Sequence, residues 1–257
     1  MSLHVEITGQ GADVVLLHGW AMHGGVFANV VSALSSSYRV HNIDLPGHGR
    51  SANSASADLP QLMTAVLPHV PEHAMVMGWS LGGLVALKLA QQQALAKLVL
   101  VSTTPRFVAD ESWPQGMQPK VFAQFFMQLQ HNLDLTVQDF LRLQVRGDAH
   151  AASTLATLKA GLIAHPANPA ALQTGLEILR DADERSALAR ITTPSLVLAG
   201  EYDRIAHPDA SRYLAEQLPH AQFGVIGRAG HAPFLSHHDE FMQTVSPFLS
   251  VQASAHG

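Results

Sequence analysis

The chain has 257 residues, 47% of them apolar and 14% charged, with a net charge of −5 and no cysteine. That composition supplies a core for one large domain or two small ones and excludes disulfides, thiolate catalysis and cysteine-ligated zinc. No long basic run and no apolar run near the roughly 18 residues of a membrane span occur, so neither nucleic acid nor a membrane is the expected partner.

Met1–Gln10 has no basic segment and no long apolar one, so it does not read as a secretory signal, and a cytoplasmic protein is the expectation. Val14–Leu17 is an apolar run of strand length, followed directly by His18-Gly19-Trp20. A helix is predicted over Val26–Leu34 and a strand over Tyr38–Ile43. The turn Asp44-Leu-Pro-Gly-His-Gly-Arg-Ser51 is glycine-rich but lacks the G-K-[ST] of a phosphate loop and reads as structural. Strands follow at Ala74–Met77 and Lys97–Val101, with a helix over Leu81–Gln92 between them. Late in the chain, strands at Ser195–Ala199 and Gln222–Ile226 flank a helix over Asp209–Leu218. Short apolar strands alternating with helices predict an α/β fold, a mostly parallel sheet with helices on both faces.

Gly78, Ser80 and Gly82 spell G-x-S-x-G between the Ala74–Met77 strand and the following helix. A serine exposed on so sharp a turn needs neighbours without Cβ atoms, and at a helix N-terminus the backbone N–H groups favour developing negative charge. Ser80 is therefore the candidate nucleophile.

From about Thr104 to Arg190 the alternation stops and only helical signals remain. Val121, Phe122, Phe125, Phe126 and Leu129 form one stripe at helical spacing. Thr136 with Asp139 resembles a capping box, Gly147 suits a helix C-terminus, and Asn168-Pro169 reads as an N-cap followed by proline, opening a helix to about Arg180. Such an insertion predicts a cap over the ligand edge of the sheet, with residues 1–104 and 191–257 as the two parts of the core and 105–190 as the helical cap. The phenylalanines either glue cap to core or line a pocket, and both can hold.

A serine nucleophile needs a base and an acid. His231 follows the last strand in a loop, Gly227-Arg-Ala-Gly230, and Asp203 follows Ser195–Ala199 in G-E-Y-D. Both satisfy the rule that residues past the carboxyl ends of parallel strands converge on the ligand crevice. Glu201 and Asp209 compete, but one is closer to the strand and the other looks helical. The order Ser80, Asp203, His231 is that of α/β-hydrolases. The oxyanion donors expected from this arrangement are the backbone N–H groups of Trp20 and Leu81. A metal at His18 has no supporting His pattern, and His237-His238-Asp239-Glu240 reads as a solvated helix start.

Taken together, H-G-W, D-L-P-G-H-G-R-S, G-W-S-L-G-G, G-E-Y-D and A-G-H-A-P-F resemble the α/β-hydrolase superfamily over the whole chain. Within it the chain resembles the pimeloyl-[acyl-carrier protein] methyl ester esterases of biotin synthesis, through L-L-H-G-W at 16–20, G-W-S-L-G-G-L-V-A at 78–86, E-S-W-P at 111–114, G-L-E-I-L at 175–179 and H-A-P-F-L-S-H at 231–237. The resemblance implies a cytoplasmic monomeric serine carboxylesterase without cofactor or metal. It implies catalytic residues Ser80, Asp203 and His231, and substrate contacts from Trp20, Ser80, Leu81, Phe140, Leu141, Arg142, Leu143, Gln144 and His231. A serine at the elbow disfavours dehalogenase and epoxide hydrolase chemistry, which uses aspartate there. A general carboxylesterase or C–C bond hydrolase is the alternative, and a non-enzymatic binding protein would show a broken triad or elbow. The implied acyl carrier protein partner is acidic and needs a basic surface. Residues 104–190 carry eight Lys or Arg against nine Asp or Glu, so the docking candidates reduce to Arg142, Arg146 and Lys159. Arg142 reads either as a receiver for a carboxylate or carrier phosphate or as a solvent-exposed helix charge.

Overall fold

A computed structural model describes residues 3–51 and 58–250. The outer ends of the two expected core segments, at 1 and 257, and the first two residues of the Met1–Gln10 stretch lie outside them. Among the described residues seven strands form one sheet: β1 (Val5–Thr8), β2 (Ala12–Leu17), β3 (Tyr38–Ile43), β4 (Met75–Trp79), β5 (Lys97–Val101), β6 (Ser195–Gly200) and β7 (Ala221–Ile226). Their order is β1-β3-β2-β4-β5-β6-β7. β1 runs antiparallel to β3, with Val5 opposite Ile43, and the other neighbours are parallel. Every residue of β4, β5 and β6 is buried, as continuous apolar runs covered on both faces should be. β1 is absent from the sequence reading because it is four residues long, lies at the edge and leaves Ile7 57% exposed.

Helices α1 (Ala28–Leu34), α2 (Leu59–Val66), α3 (Leu81–Gln92), α8 (Pro208–Gln217), α9 (Pro233–Ser236) and α10 (His238–Ser250) accompany the sheet. Right-handed crossovers fix their sides. The β2-to-β3 step runs opposite to the later ones, so α1, which packs on α10, covers one face and α3 and α8 the other. The strand order reverses beside β2 and β4, so their carboxyl ends open the crevice where such sheets bind ligands. The helix predicted from Val26 begins instead as a 3-10 turn at Gly24–Phe27 before α1.

Between β5 and β6 lie α4 (Pro119–His131), α5 (Leu133–Gln144), α6 (Ala151–Ala164) and α7 (Pro169–Asp181). The predicted capping box at Thr136 is corrected: Asn132 caps α5 by accepting from Leu135 N at 3.0 Å, and Thr136 lies inside the helix, its hydroxyl donating to Asn132 O. Asn132 directly follows α4, so the two helices abut without the loop that would have marked the boundary. Gly147 takes a left-handed backbone (φ +91°) two residues past the C-cap Val145. Asn168 caps α7, accepting from Ala170 N, with Pro169 first in the helix. Of the aromatic stripe on α4, Phe122 and Leu129 are buried, Phe125 and Phe126 half-buried and Val121 exposed.

Candidate active site

Ser80 ends β4 at φ +55°, ψ −117°, a backbone that costs a non-glycine residue energy and persists only where its surroundings hold it. Here its N–H donates to Val101 O at 3.0 Å, and its carbonyl accepts from Thr103 Oγ1 at 2.8 Å and Gly83 N at 2.9 Å. The flanking glycines are obligatory: a Cβ on Gly78 would lie 2.4 Å from Gly82 O, and one on Gly82 would lie 2.2 Å from Leu17 O. α3 starts at Leu81, whose N–H, being first in the helix, has no intrahelical acceptor.

The loops after β6 and β7 meet because residue 200 is glycine, where a Cβ would strike Gly230 O. Their approach sets Asp203 against His231. His231 Nδ1 donates to Asp203 Oδ2 at 2.8 Å, with both side chains wholly buried. Asp203 Oδ1 accepts from Ile205 N at 2.8 Å and Ala206 N at 3.0 Å, so the carboxylate is fixed from two sides. His231 is moored at its own backbone: its N–H donates to Gln144 O at 2.8 Å, and its carbonyl accepts from the Trp79 indole at 2.7 Å. Among the described residues, Ser80 Oγ and His231 Nε2 are buried with no hydrogen-bond partner. A nucleophile and base that stand loose without substrate are common in unliganded hydrolases. Neither competing acid comes near: Glu201 accepts from Arg228 N on the surface, and Asp209 sits exposed beside His207.

His18 holds the loop after β2. Its Nδ1 donates to Gly19 O at 2.8 Å and its Nε2 accepts from Leu45 N at 2.9 Å, which fits only the neutral imidazole. Burial, with the neighbouring His48 adding to it, lowers its pKa to about 3. Asp44 in the glycine-rich turn accepts from Gly24 N and Arg50 N, the structural role expected of that turn. Among the described residues no cluster of three or more His, Asp or Glu could hold a metal ion.

The helical segment closes over this loop. The Trp20 indole donates to Leu172 O at 2.8 Å, its ring meets Phe140 edge-on at 4.8 Å, and Gly175 leaves room for it. Phe140, Leu141 and Gln144 of the anticipated contact strip are buried and Leu143 half-buried. Arg142 of the same strip has a side chain 52% exposed and paired with Asp139 at 2.6 Å, as the solvent-facing helix charge that is one of its two readings. Arg146 lies beyond the end of α5, so it does not share a helix face with Arg142; it is exposed, and Lys159 on α6 is half-buried. A wholly apolar seam with only about 10 Å³ of free space, about one water's worth, lies among Phe107, Met117, Phe122, Phe125, Phe140, Leu176, Leu179 and Ile205. The indole of Trp79 and the carboxylate of Asp148, which accepts from Gly230 N at 2.7 Å, support the His231 loop without any sequence signal of their own.

The α/β hydrolase fold family is matched over residues 14–238. A pimeloyl-[acyl-carrier protein] methyl ester esterase of Vibrio parahaemolyticus is 42% identical over 96% of this chain and 98% of its own length. One of Nitrosomonas europaea is 41% identical over 94% of this chain and 97% of its own. An esterase of Exiguobacterium antarcticum shares the fold, with a TM-score of 0.88 at 21% identity over 97% of this chain and 96% of that one.

Proposed function

We propose, for a chain that belongs to the α/β hydrolase fold family and within it to the pimeloyl-[acyl-carrier protein] methyl ester esterases, that it hydrolyses the methyl ester of pimeloyl-[acyl-carrier protein] in biotin synthesis. The observation that carries the chemistry is the buried Asp203–His231 pair lying at the same sheet edge as the strained, unpartnered hydroxyl of Ser80. Ser80 Oγ attacks the ester carbonyl while His231 Nε2 takes its proton and Asp203 holds the imidazolium. The Trp20 and Leu81 amides receive the oxyanion, a donor of this kind being worth about 3 kcal/mol. His231 returns the proton to the departing methanol, and water then frees the acid from Ser80.

In this reading residues 105–190 are a cap, with Trp20, Phe140, Leu141 and Gln144 at the substrate, and the apolar seam beside Phe140 lines a methylene chain once the chain parts it. The carrier approaches over the cap, guided by Arg146 and Lys159 and to a lesser degree by Arg142, whose charge is already spent on Asp139. The enzyme acts as a cytoplasmic monomer; among the described residues no helix is long and apolar enough to cross a membrane. The test is complementation of a biotin auxotroph lacking the esterase, with wild type and Ser80→Ala side by side. Growth with wild type alone is the expected result. If neither supports growth while the purified wild type cleaves simple esters, the chain is a general carboxylesterase.

A further inference from the structure

Gln144 is 1% exposed, and both Oε1 and Nε2 of its side chain are buried without a hydrogen-bond partner. A buried carboxamide with nothing to bond costs the fold heavily, so native structures leave one only where something else completes it. Its place says what that is. Gln144 ends α5 one turn after Phe140, on the same helix face, and Phe140 packs on Trp20. At its own backbone it holds His231, through the bond from His231 N to Gln144 O. The Phe140–Gln144 face therefore spans from the Trp20 loop to the backbone of the histidine loop, and His231 Nε2, like the Gln144 amide, is buried without a partner.

Resting on the esterase reading, we propose that the Gln144 carboxamide holds the water that deacylates Ser80. Water donates one proton towards His231 Nε2 and the other to Gln144 Oε1. As its oxygen bonds to the acyl carbon, His231 takes the first proton; the tetrahedral intermediate then breaks the carbon–Oγ bond, and His231 returns that proton to Ser80 Oγ. The carboxylic acid leaves with the second proton or ionises. Methanol, which has a single O–H, uses His231 alone. Gln144 thus separates water from alcohol as acceptors of the acyl group, a distinction that a purely structural glutamine would not make.

The test is acyl partitioning by Gln144→Leu and Gln144→Met, both close in volume, on a p-nitrophenyl acyl ester in water–methanol mixtures. Stopped-flow release of p-nitrophenol gives the acylation rate, and the ratio of methyl ester to free acid formed gives the partition. We expect deacylation by water to slow roughly tenfold to a hundredfold more than acylation does, and the methanol-to-water partition to rise by the same factor. An unchanged partition ratio in a variant that still acylates overturns the inference, as does an equal loss in acylation and deacylation. Ester hydrolysis that survives undiminished in Ser80→Ala overturns the esterase reading itself, and assaying that variant beside the Gln144 variants tells that failure from the other.

Discussion

Gly175→Ala tests whether the helical segment and the oxyanion loop are one packed unit. A Cβ at residue 175 would lie 2.5 Å from Trp20 Cδ1, 3.0 Å from Trp20 Nε1 and 3.7 Å from Leu81 Cδ2. Ordinary carbon contacts are roughly 3.5–4.0 Å, so the indole must retreat by about 1 Å or α7 must lift. The indole has nowhere to go: it is 1% exposed, bonded to Leu172 O at 2.8 Å and backed by Phe140 at 4.8 Å. Overpacking by one methyl costs about 1–3 kcal/mol, and for a chain of this size about 2 kcal/mol lowers Tm by roughly 4–8 °C. If the loop yields instead, the Trp20 amide shifts, and a displacement near 1 Å costs up to about a hundredfold in kcat. Thermal unfolding and kcat on a p-nitrophenyl ester measure both, and Trp20→Leu in the same background relieves the clash, so the double variant loses less stability than the two single losses added. A Tm within about 1 °C and a kcat within about twofold of wild type would refute the packing argument.

Asp203→Asn should lower kcat by about 10⁴-fold while leaving KM near wild type, because the amide favours the wrong imidazole tautomer; a loss below about tenfold would remove Asp203 from the mechanism. Stability should fall on acidification through the buried histidines. Burial holds His18 at about 3, and it also lowers His23 and His48. Below the ordinary value near 6.5 the unfolded chain binds protons that the folded one refuses, so stability that is complete above that pH drains away as the pH falls towards 3, by at most about 1.4 kcal/mol per pH unit for each group. Urea midpoints between pH 7 and 5 should show the slope, and His18→Gln should reduce it; an equal slope in the variant would count against this assignment. Reversing Arg142 and Arg146 to Glu should raise KM for a carrier-bound substrate by roughly tenfold, the more so at low salt, without touching a small soluble ester; an equal effect on both substrates would mean that the arginines shape the pocket or the fold.

The most sharply bounded elements in the sequence are the ones whose burial is broad. Lys97–Val101 and Leu81–Gln92 lie between turn-forming residues with both faces or one broad face covered, so the apolar pattern alone bounds them. What escaped is half-buried or evenly composed. α6 is alanine-rich with only Thr154 and Leu158 buried, so it has no stripe to read. α2 was within reach, since Asp58 and Gln61 form a capping box visible as D-x-x-Q, but its proline at the second position and short length disguised it. At the site, the positions of Ser80, Asp203 and His231 follow from strand ends and glycine spacing, both local signals. That Arg142 faces solvent while Gln144 faces inward depends on how α5 is rotated against Trp20, a tertiary fact that the alternating F-L-R-L-Q pattern does not encode.

The bonds across the junction also decide how the helical segment can move. Three link its 144–149 stretch to the loop of His231: His231 N to Gln144 O at 2.8 Å, Gly230 N to Asp148 Oδ2 at 2.7 Å and Ala149 N to Arg228 O at 3.0 Å. Lifting the whole segment would break them together and leave the histidine held only by the Trp79 indole on its carbonyl and by Asp203 on its ring. At the α7 end the segment is bonded to the core through the Trp20 indole to Leu172 O and through Asn168 N to Gly47 O. Between α4 and α7, beside Phe126, Leu129 and Pro169, an open groove already lies at the surface. Arg180 stacks on Phe126 across the same seam at 5.1 Å, but an exposed cation on an aromatic face is worth only about 0.5–1 kcal/mol, so closure there rests on Phe122, Leu176 and Leu179, buried where the two helices meet.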